Sequence, residues 1–534
     1  MEVRVDVIIV GAGFAGLRAL LKMREIGLSA VVLEAGGDIG GVWNFNRYPG
    51  ARCDVESYDY SYMFSEELEQ EWRWSERYAT QPEVLRYIHH VADKFALRRD
   101  VRVNCRMLRA EFDEGTTRWR ILTQTAERWN SQFLIMAVGQ LSTTKAPVYP
   151  GQSSFSGQIH HSAQWPHAGV DLSGKRVGII GTGSSGVQMT PIVAREAAHL
   201  TVFQRSPNFS IPATNAAISD DEDIAVKARY RERRQAALNS PSGLGFVPNK
   251  QSALAASAQE REAVYEAAWQ RLGFGFALAY HDLLLDQSAN DTAAEFIRRK
   301  IAQLVTSPEV REKLTPRGFP FGTKRPSVDS GYFQTFNRDN VALVDIHESP
   351  IVAITATGIS TVSSSHRLDV IVFATGFDAF TGSLLGPDII GRGGQSLRDK
   401  WSAGPVTYLG LGSSGFPNMF IIAGPGSPSL LSNVILSIEQ HVEWIGNLLS
   451  HLAKLAFDYV EVTPAAEKHW LEQVAARAGE TLYLKARSYY VGDEMPGKPH
   501  VFMPYSGGVR GYRRILEKVA ATHYEGFELR SSTP

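Results

Sequence analysis

Two glycine triplets, Gly11-x-Gly13-x-x-Gly16 and Gly181-x-Gly183-x-x-Gly186, occur in one chain with side chains of opposite charge placed behind them. Glu34 lies 23 residues beyond Gly11, and Arg205 lies 24 residues beyond Gly181. A glycine loop that opens a helix offers backbone N–H groups and a positive dipole end to a pyrophosphate, and the residue at the end of the next strand reads the ribose. A carboxylate there accepts hydrogen bonds from an unphosphorylated ribose diol, as in FAD or NAD. A guanidinium pairs with a ribose 2′-phosphate, so the second loop favours NADP. Gly11, Gly13, Gly16 and Glu34 are therefore candidate contacts to one dinucleotide, and Gly181, Gly183, Ser184, Gly186, Arg205 and Ser206 to another.

The elements that must position these residues repeat. An apolar strand from Val5 to Val10 runs into the first loop and then into the helical pattern LRALLKMREIG; the next strand, SAVVLEAG, ends at Glu34. A helix is expected near Pro82 to Phe95, then hairpin strands over 101–136 with a turn at Glu114-Gly115, and then the buried strand FLIMAVG ending at Gly139. The second unit follows the same plan, with hairpin strands over 351–368 and VIVFATG ending at Gly376. From first to last glycine the units span 128 and 195 residues, so the second carries about 67 extra, placed between Ile211 and Gly322 where the pattern turns helical. Ser219 with Glu222 predicts a capping box, and Ser307-Pro308 predicts another helix start. This insert is expected to cap a substrate cavity without supplying chemistry. After Asp378 the run PNMFIIAGPGSPSLLSNVILSIEQHVEWI reads as strand, turn and amphipathic helix, whose N-terminus would suit the electron-rich edge of a reduced flavin. The fold class expected is α/β, with two Rossmann-like dinucleotide-binding domains and a helical insertion in the second.

Composition narrows the partners. A chain of 534 residues exceeds one ordinary core, and a net charge of -1 gives no footprint for nucleic acid or an anionic membrane. Cys53 and Cys105 are the only cysteines, so neither a disulfide framework nor a CxxC redox pair exists, and no metal site is expected. No apolar run is long enough for a membrane span, and no signal peptide is evident, so a cytoplasmic protein is expected. A monomer, with room for weak self-association, is the expected state.

Two further stretches carry a resemblance. Phe155, Gly157, His161, Trp165 and Pro166 form FxGxxxHxxxWP just before the second loop, and the Gly- and Pro-rich segment after Gly40 contains Trp43 and RYPGARCD, ending at Asp54. Together with the glycine pair these resemble, over essentially the whole chain, the type I Baeyer–Villiger monooxygenases, which use FAD and NADPH to insert one oxygen atom of O2 beside a ketone carbonyl. The resemblance implies an FAD domain built from 1–143 and 378–534, and an NADP domain over 144–377 that includes the insertion 212–321. It implies that FGTKRPSVDS holds the catalytic Arg325, which stabilises a flavin C4a-peroxide anion and the tetrahedral adduct, with Asp54 orienting it. Lys324 becomes a second phosphate contact, and Trp43, Asp378 and Tyr489 become further cofactor contacts. SPSLLSN matches the longer form of a loop lining the substrate pocket.

Departures from the family pattern are Asn44 and Phe45 after Trp43, Tyr489 where a Trp is usual, and Asp493-Glu494 where an Ala-Asn pair is usual. The ketone itself is not legible. The alternative enzyme is a flavin monooxygenase acting on sulfur or nitrogen, a class that usually lacks the residue corresponding to Trp165. A flavin-binding regulator without turnover is disfavoured by Arg325, Asp54 and Arg205 occurring together.

Overall fold

Val7, Ile8, Ile9 and Val10 are all buried, so this strand must lie inside a sheet covered on both faces. In the computed structural model, which describes residues 2–246, 249–271, 273–493 and 495–531, it does. Strand Glu2–Val10 runs parallel between Ala30–Leu33 and Arg128–Met136. Val101–Arg102 adds a parallel edge beside Ala30–Leu33, while Met107–Asp113 and Arg118–Thr123 form an antiparallel hairpin on the other side. The hairpin thus begins at Met107 instead of 101: the two preceding strand residues find parallel partners in Val32 and Leu33. Its turn falls at the expected Glu114-Gly115, where Asp113 accepts from the Gly115 N–H at 3.0 Å. From the far end of the chain, Asp388–Ile390 and Met419–Ile421 join this same sheet.

The second sheet is wholly parallel, in the order Val341–Asp345, His199–Gln204, Arg176–Ile180, Val370–Phe373, Gln158–His161. Its repeat of the first unit extends to single hydrogen bonds. The Gly11 N–H donates to the Leu33 carbonyl at 2.8 Å, and the Gly181 N–H to the Phe203 carbonyl at 3.0 Å. The strands over 351–368 form an antiparallel trio, Ile351–Thr355, Gly358–Thr361 and Ser365–Arg367.

Two chain crossings join the units side by side. The Lys145 N–H donates to the Gly376 carbonyl (3.0 Å) and the Asp378 N–H to the Thr143 carbonyl (2.9 Å).

The segment 212–321 holds the helices Asp220–Lys227, Tyr230–Asn239, Ala258–Arg271, Gln287–Leu304 and Pro308–Leu314. Ser219 Oγ accepts from the Glu222 N–H at 3.2 Å, the serine half of the expected box, and Ser307 Oγ accepts from the Val310 N–H at 3.4 Å. Ala289, Ala293, Phe296, Ile297 and Ile301 make the buried stripe of Gln287–Leu304 at helical spacing. Arg233 and Arg234 tie the insertion to the first unit, pairing with Asp59, Glu56 and Glu69. Burial disfavours the Arg233 charge, but the Asp59 and Glu56 carboxylates outweigh it and hold the pKa above its ordinary value.

Candidate functional site

Both glycine loops open onto one cavity of about 1030 Å³, which also receives the RYPGARCD loop, Lys324, Arg325 and the C-terminal Tyr489. The glycines divide by task. Gly11 and Gly181 take φ of 102° and 115°, and a Cβ on either would stand 2.6 Å and 2.4 Å from the carbonyl oxygens of Ala137 and Ala374. A Cβ on Gly16 or Gly186 would meet the carbonyl oxygen of Gly11 or Gly181 at 1.8 or 2.1 Å. These four are demanded by packing of the chain on itself, and Gly16 and Gly186 do not line the cavity.

The middle glycines are different. Gly13 has φ of −84° with its nearest neighbour, Gly41 Cα, at an ordinary 3.5 Å; Gly183 has φ of −78° and nothing within 4 Å. Nothing in the protein forbids a side chain there, and both positions face the cavity, so what requires glycine is a ligand brought against the backbone. The helices that follow, Phe14–Glu25 and Ser184–Glu196, have no side-chain cap and no acidic residue in the first turn. By contrast, Asp286, Asn433 and Thr463 cap their helices. A pyrophosphate fits both open ends, so the residues present suit two dinucleotides.

Glu34 stands where the ribose contact is expected, and its carboxylate accepts from the Ala12 N–H at 2.6 Å and the Gly36 N–H at 2.7 Å. The loop thus fixes the carboxylate before any ribose arrives. In the second unit Arg205 is exposed at the cavity wall beside Ser206, and no carboxylate among the described residues pairs with it. Lys324 shares that wall, its Nζ 4.5 Å above the Phe319 ring.

The RYPGARCD loop sits against the helix Ser184–Glu196. Tyr48 Oη donates to Gln188 Oε1 at 2.9 Å, Gln188 Nε2 donates to the Arg52 carbonyl at 3.1 Å, and a Cβ on Gly50 would come within 2.5 Å of the Gln188 carbonyl oxygen. That contact delivers Asp54 to Arg325. Arg325 Nε donates to Asp54 Oδ2 at 2.7 Å, Nη2 to Oδ1 at 3.0 Å, and Nη1 to the Leu430 carbonyl at 2.9 Å. Burial pulls the guanidinium pKa down, but the charge and hydrogen bonds of Asp54, aided by Tyr490 and Tyr489, raise it above its ordinary value. A fixed cation therefore faces the cavity. Burial and then Asp54 push the neighbouring Cys53 thiol well up, so it stays protonated.

Trp43 borders the same space; its indole N–H donates to Tyr60 Oη at 3.1 Å with the rings edge-on. Asn44 is buried and accepts from Arg47 at 2.8 Å, whereas Phe45 is part of the cavity wall. The helix Val434–Lys454 presents Val434, Ile435 and Ile438 to the cavity from its N-terminal end.

Phe155, Gly157, His161, Trp165 and Pro166 do not line the cavity. The Ala163 N–H donates to His161 Nδ1 (3.1 Å), which leaves Nε2–H to donate to the Lys145 carbonyl (3.2 Å) on one crossing. Burial lowers the His161 pKa against the opposing pull of that carbonyl, keeping the ring neutral. A Cβ on Gly157 would strike the Asp369 carbonyl oxygen at 2.2 Å, and Trp165 is buried.

Asp378 is not one of the cavity-lining residues; its carboxylate accepts from Lys498 Nζ at 2.5 Å, and that ammonium, 120 residues on, also donates to the Ala379 carbonyl. Asp493 is likewise turned away, paired with His500 at 2.6 Å, so this carboxylate does not oppose an anionic ligand. Glu494 lies outside the described residues. Tyr489 does face the cavity, its ring 4.5 Å from that of Tyr490. Among the described residues, the insertion 212–321 contributes none that line the cavity. Sequence reasoning overlooked the Leu430 carbonyl, which no residue-type signal marks, and Asn208, whose Nδ2 donates to the Arg325 carbonyl at 3.2 Å.

A family model described as pyridine nucleotide-disulphide oxidoreductase matches residues 8–257. A Baeyer–Villiger monooxygenase of Pseudooceanicola batsensis is 42% identical over 524 residues, spanning 97% of this chain and 95% of that protein. A phenazine N-monooxygenase of Lysobacter antibioticus is 40% identical over 531 residues, spanning 98% of this chain and 97% of that protein. The solved structure of an oxidized steroid monooxygenase bound to NADP matches with a TM-score of 0.96 at 49% identity, covering 99% of this chain and 100% of that one.

Proposed function

The chain belongs to the Baeyer–Villiger monooxygenase family, and from that premise we propose that it inserts one oxygen atom of O2 beside a ketone carbonyl, at the expense of NADPH, to give an ester or lactone. The observation that carries this reading is the Asp54–Arg325 pair, set where two dinucleotide sites share one cavity. When bound, FAD would supply the hydride-accepting and O2-activating chemistry. The chain's own residues hold and shield that chemistry.

In this reading Gly11, Gly13 and Glu34 hold FAD, with Trp43 beside it, while Gly181, Gly183, Ser184, Arg205, Ser206 and Lys324 hold NADP(H). Gly16 and Gly186 shape the loops. Arg325 supplies a permanent positive charge to an oxyanion and, with a planar fork clamped by Asp54 and the Leu430 carbonyl, cannot swing from the reacting carbon. Tyr489 closes the cavity from the C-terminal side. The sheet that each strand joins supports domain bounds of 1–143 with 378–534 for FAD and 144–377 for NADP.

No helix among the described residues is long and apolar enough to cross a membrane, and both cysteines are free thiols, which supports a cytoplasmic setting. A monomeric enzyme is proposed, and sedimentation velocity reads it directly.

The named activity of the phenazine relative favours a second reading, oxygenation of nitrogen or sulfur. A panel of cyclic, linear and aryl ketones beside sulfides and aromatic amines, read by product mass, separates the two. One-oxygen gain on ketones is expected, and gain on heteroatoms alone would replace the first reading with the second.

The cofactor assignment has its own test. Arg205→Ala should raise the KM for NADPH about ten- to a hundredfold and leave that for NADH nearly unchanged, because a lost charge-assisted pair costs on the order of 1.5 to 3 kcal/mol. Equal changes for both nucleotides would remove Arg205 from the phosphate site.

A further inference from the structure

Arg325 and Lys324 ride on a short segment whose two ends are held by different parts of the molecule. At its C-terminal end, the Ser327 N–H donates to the Phe209 carbonyl at 3.0 Å, Asn208 holds the Arg325 carbonyl, and Ser327–Asp329 pairs with Ser210–Pro212. At its N-terminal end, the anchor comes from the insertion. Asn290, on the helix Gln287–Leu304, has no solvent exposure, and its amide makes three bonds. Nδ2 donates to the Leu283 carbonyl at 2.6 Å and to the Phe321 carbonyl at 2.8 Å, while Oδ1 accepts from the Phe321 N–H at 2.8 Å. Both backbone groups of Phe321 are thereby fixed four residues before Arg325.

The same junction reaches the C-terminal side of the cavity. Leu284, next to the Asn290-bound Leu283, accepts at its carbonyl from the Leu482 N–H at 2.9 Å. Its side chain packs against the buried cluster of Ala379, Phe380, Tyr483, Tyr490 and Met503, on which Leu430 and Tyr489 also pack, and a Cβ on Gly322 would stand 2.7 Å from its Cδ2. One buried amide thus joins the arginine segment to the turn on which the Tyr489 region rests.

We infer that Asn290 is a positioning residue for oxygen insertion: through the Phe321 backbone it sets where Lys324 and Arg325 stand, and through Leu283–Leu284 it ties that setting to the C-terminal segment that carries Tyr489. This rests on the reading of Arg325 and Lys324 given above, and it gives the insertion a part in the chemistry without a place in the cavity wall. Asparagine fits because the junction needs two donors and one acceptor on a single planar group. Aspartate loses the donors and sets its oxygens against two carbonyls; alanine leaves all three backbone groups buried without partners.

The test compares FAD-loaded Asn290→Ala, Asn290→Asp and Arg325→Ala with the parent. Hydrogen exchange of the peptide covering 318–326 should quicken about tenfold in Asn290→Ala, as expected for losing bonds worth about 1.4 kcal/mol net. The NADP+ dissociation constant, read by calorimetry, should rise severalfold. With the ketone best converted in the panel, the share of NADPH that ends as hydrogen peroxide should rise in both Asn290 variants. In Asn290→Asp it should fall back toward the parent as pH drops, because a buried carboxyl that regains its proton regains a donor.

A lower melting temperature alongside parental exchange, NADP+ affinity and coupling would make Asn290 merely structural and overturn the inference. If Asn290→Ala yields no soluble holoprotein, Asn290→Asp is judged at neutral pH by the same three readouts, and parental values there overturn it equally. Ester formation surviving in Arg325→Ala would defeat the reading of Arg325. An inactive Arg325→Ala beside silent Asn290 variants would defeat only the inference about Asn290.

Discussion

Arg325→Ala should bind FAD, accept hydride from NADPH, and form no detectable ester. The guanidinium bonds Asp54 and the Leu430 carbonyl, and the helices that follow the two glycine loops stand on their own strands, so both dinucleotide sites should survive its removal. What disappears is a cation held where negative charge develops on oxygen. Losing one such group typically costs about 2.7 to 4 kcal/mol, or a hundred- to a thousandfold, and the loss grows where no water can stand in. NADPH oxidation should continue and its electrons should leave as hydrogen peroxide. Lysine should rescue poorly, since its point charge cannot bond Asp54 and Leu430 together. Anaerobic flavin bleaching followed by product analysis in air checks each part. Ester made at the parent rate would remove Arg325 from the reaction, and failure of bleaching would move it to hydride transfer.

Gly13→Val should give a colourless protein that is otherwise folded. The φ of −84° suits valine, and the nearest protein atom to a new Cβ is 3.5 Å away, so the chain tolerates the substitution while the approach of a pyrophosphate is blocked. Gly183→Val provides the mirror experiment: yellow protein with FAD bound and little affinity for NADPH. Gly16→Val is the contrasting case, because its Cβ would sit 1.8 Å from the Gly11 carbonyl oxygen and the loop itself must break. Flavin absorbance per folded chain, with circular dichroism, distinguishes these outcomes. Full flavin in Gly13→Val would reassign the first loop.

The two dinucleotide units were legible because their signals are local: strand, glycines at fixed spacing, helix, and a charge at the next strand end all lie within a few dozen residues. The Asp54–Arg325 pair is separated by 271 residues and was reached only through the family resemblance, since nothing periodic links the two. Asp378 shows the same limit in reverse. Its position in the chain suited a cofactor contact, but Lys498 claims its carboxylate. The insertion shows a third limit: its capped helices could be anticipated from Ser219 and Ser307, whereas the role of Asn290 depends on backbone groups of Phe321 and Leu283 that carry no sequence signal. Val101–Arg102 went to a parallel edge because alternation alone does not say which neighbour a short strand will find.

Oxygen from O2 should enter a carbon–carbon bond next to a ketone carbonyl. Purified FAD-loaded enzyme, NADPH and the best ketone of the panel, incubated under isotopically heavy dioxygen, test this by mass spectrometry of the product. The expected product is an ester or lactone with one heavy oxygen in the ring or ester linkage, formed at one equivalent per NADPH. A product that carries no heavy oxygen, or heavy oxygen found only on a sulfide or amine while every ketone is returned unchanged, would contradict it.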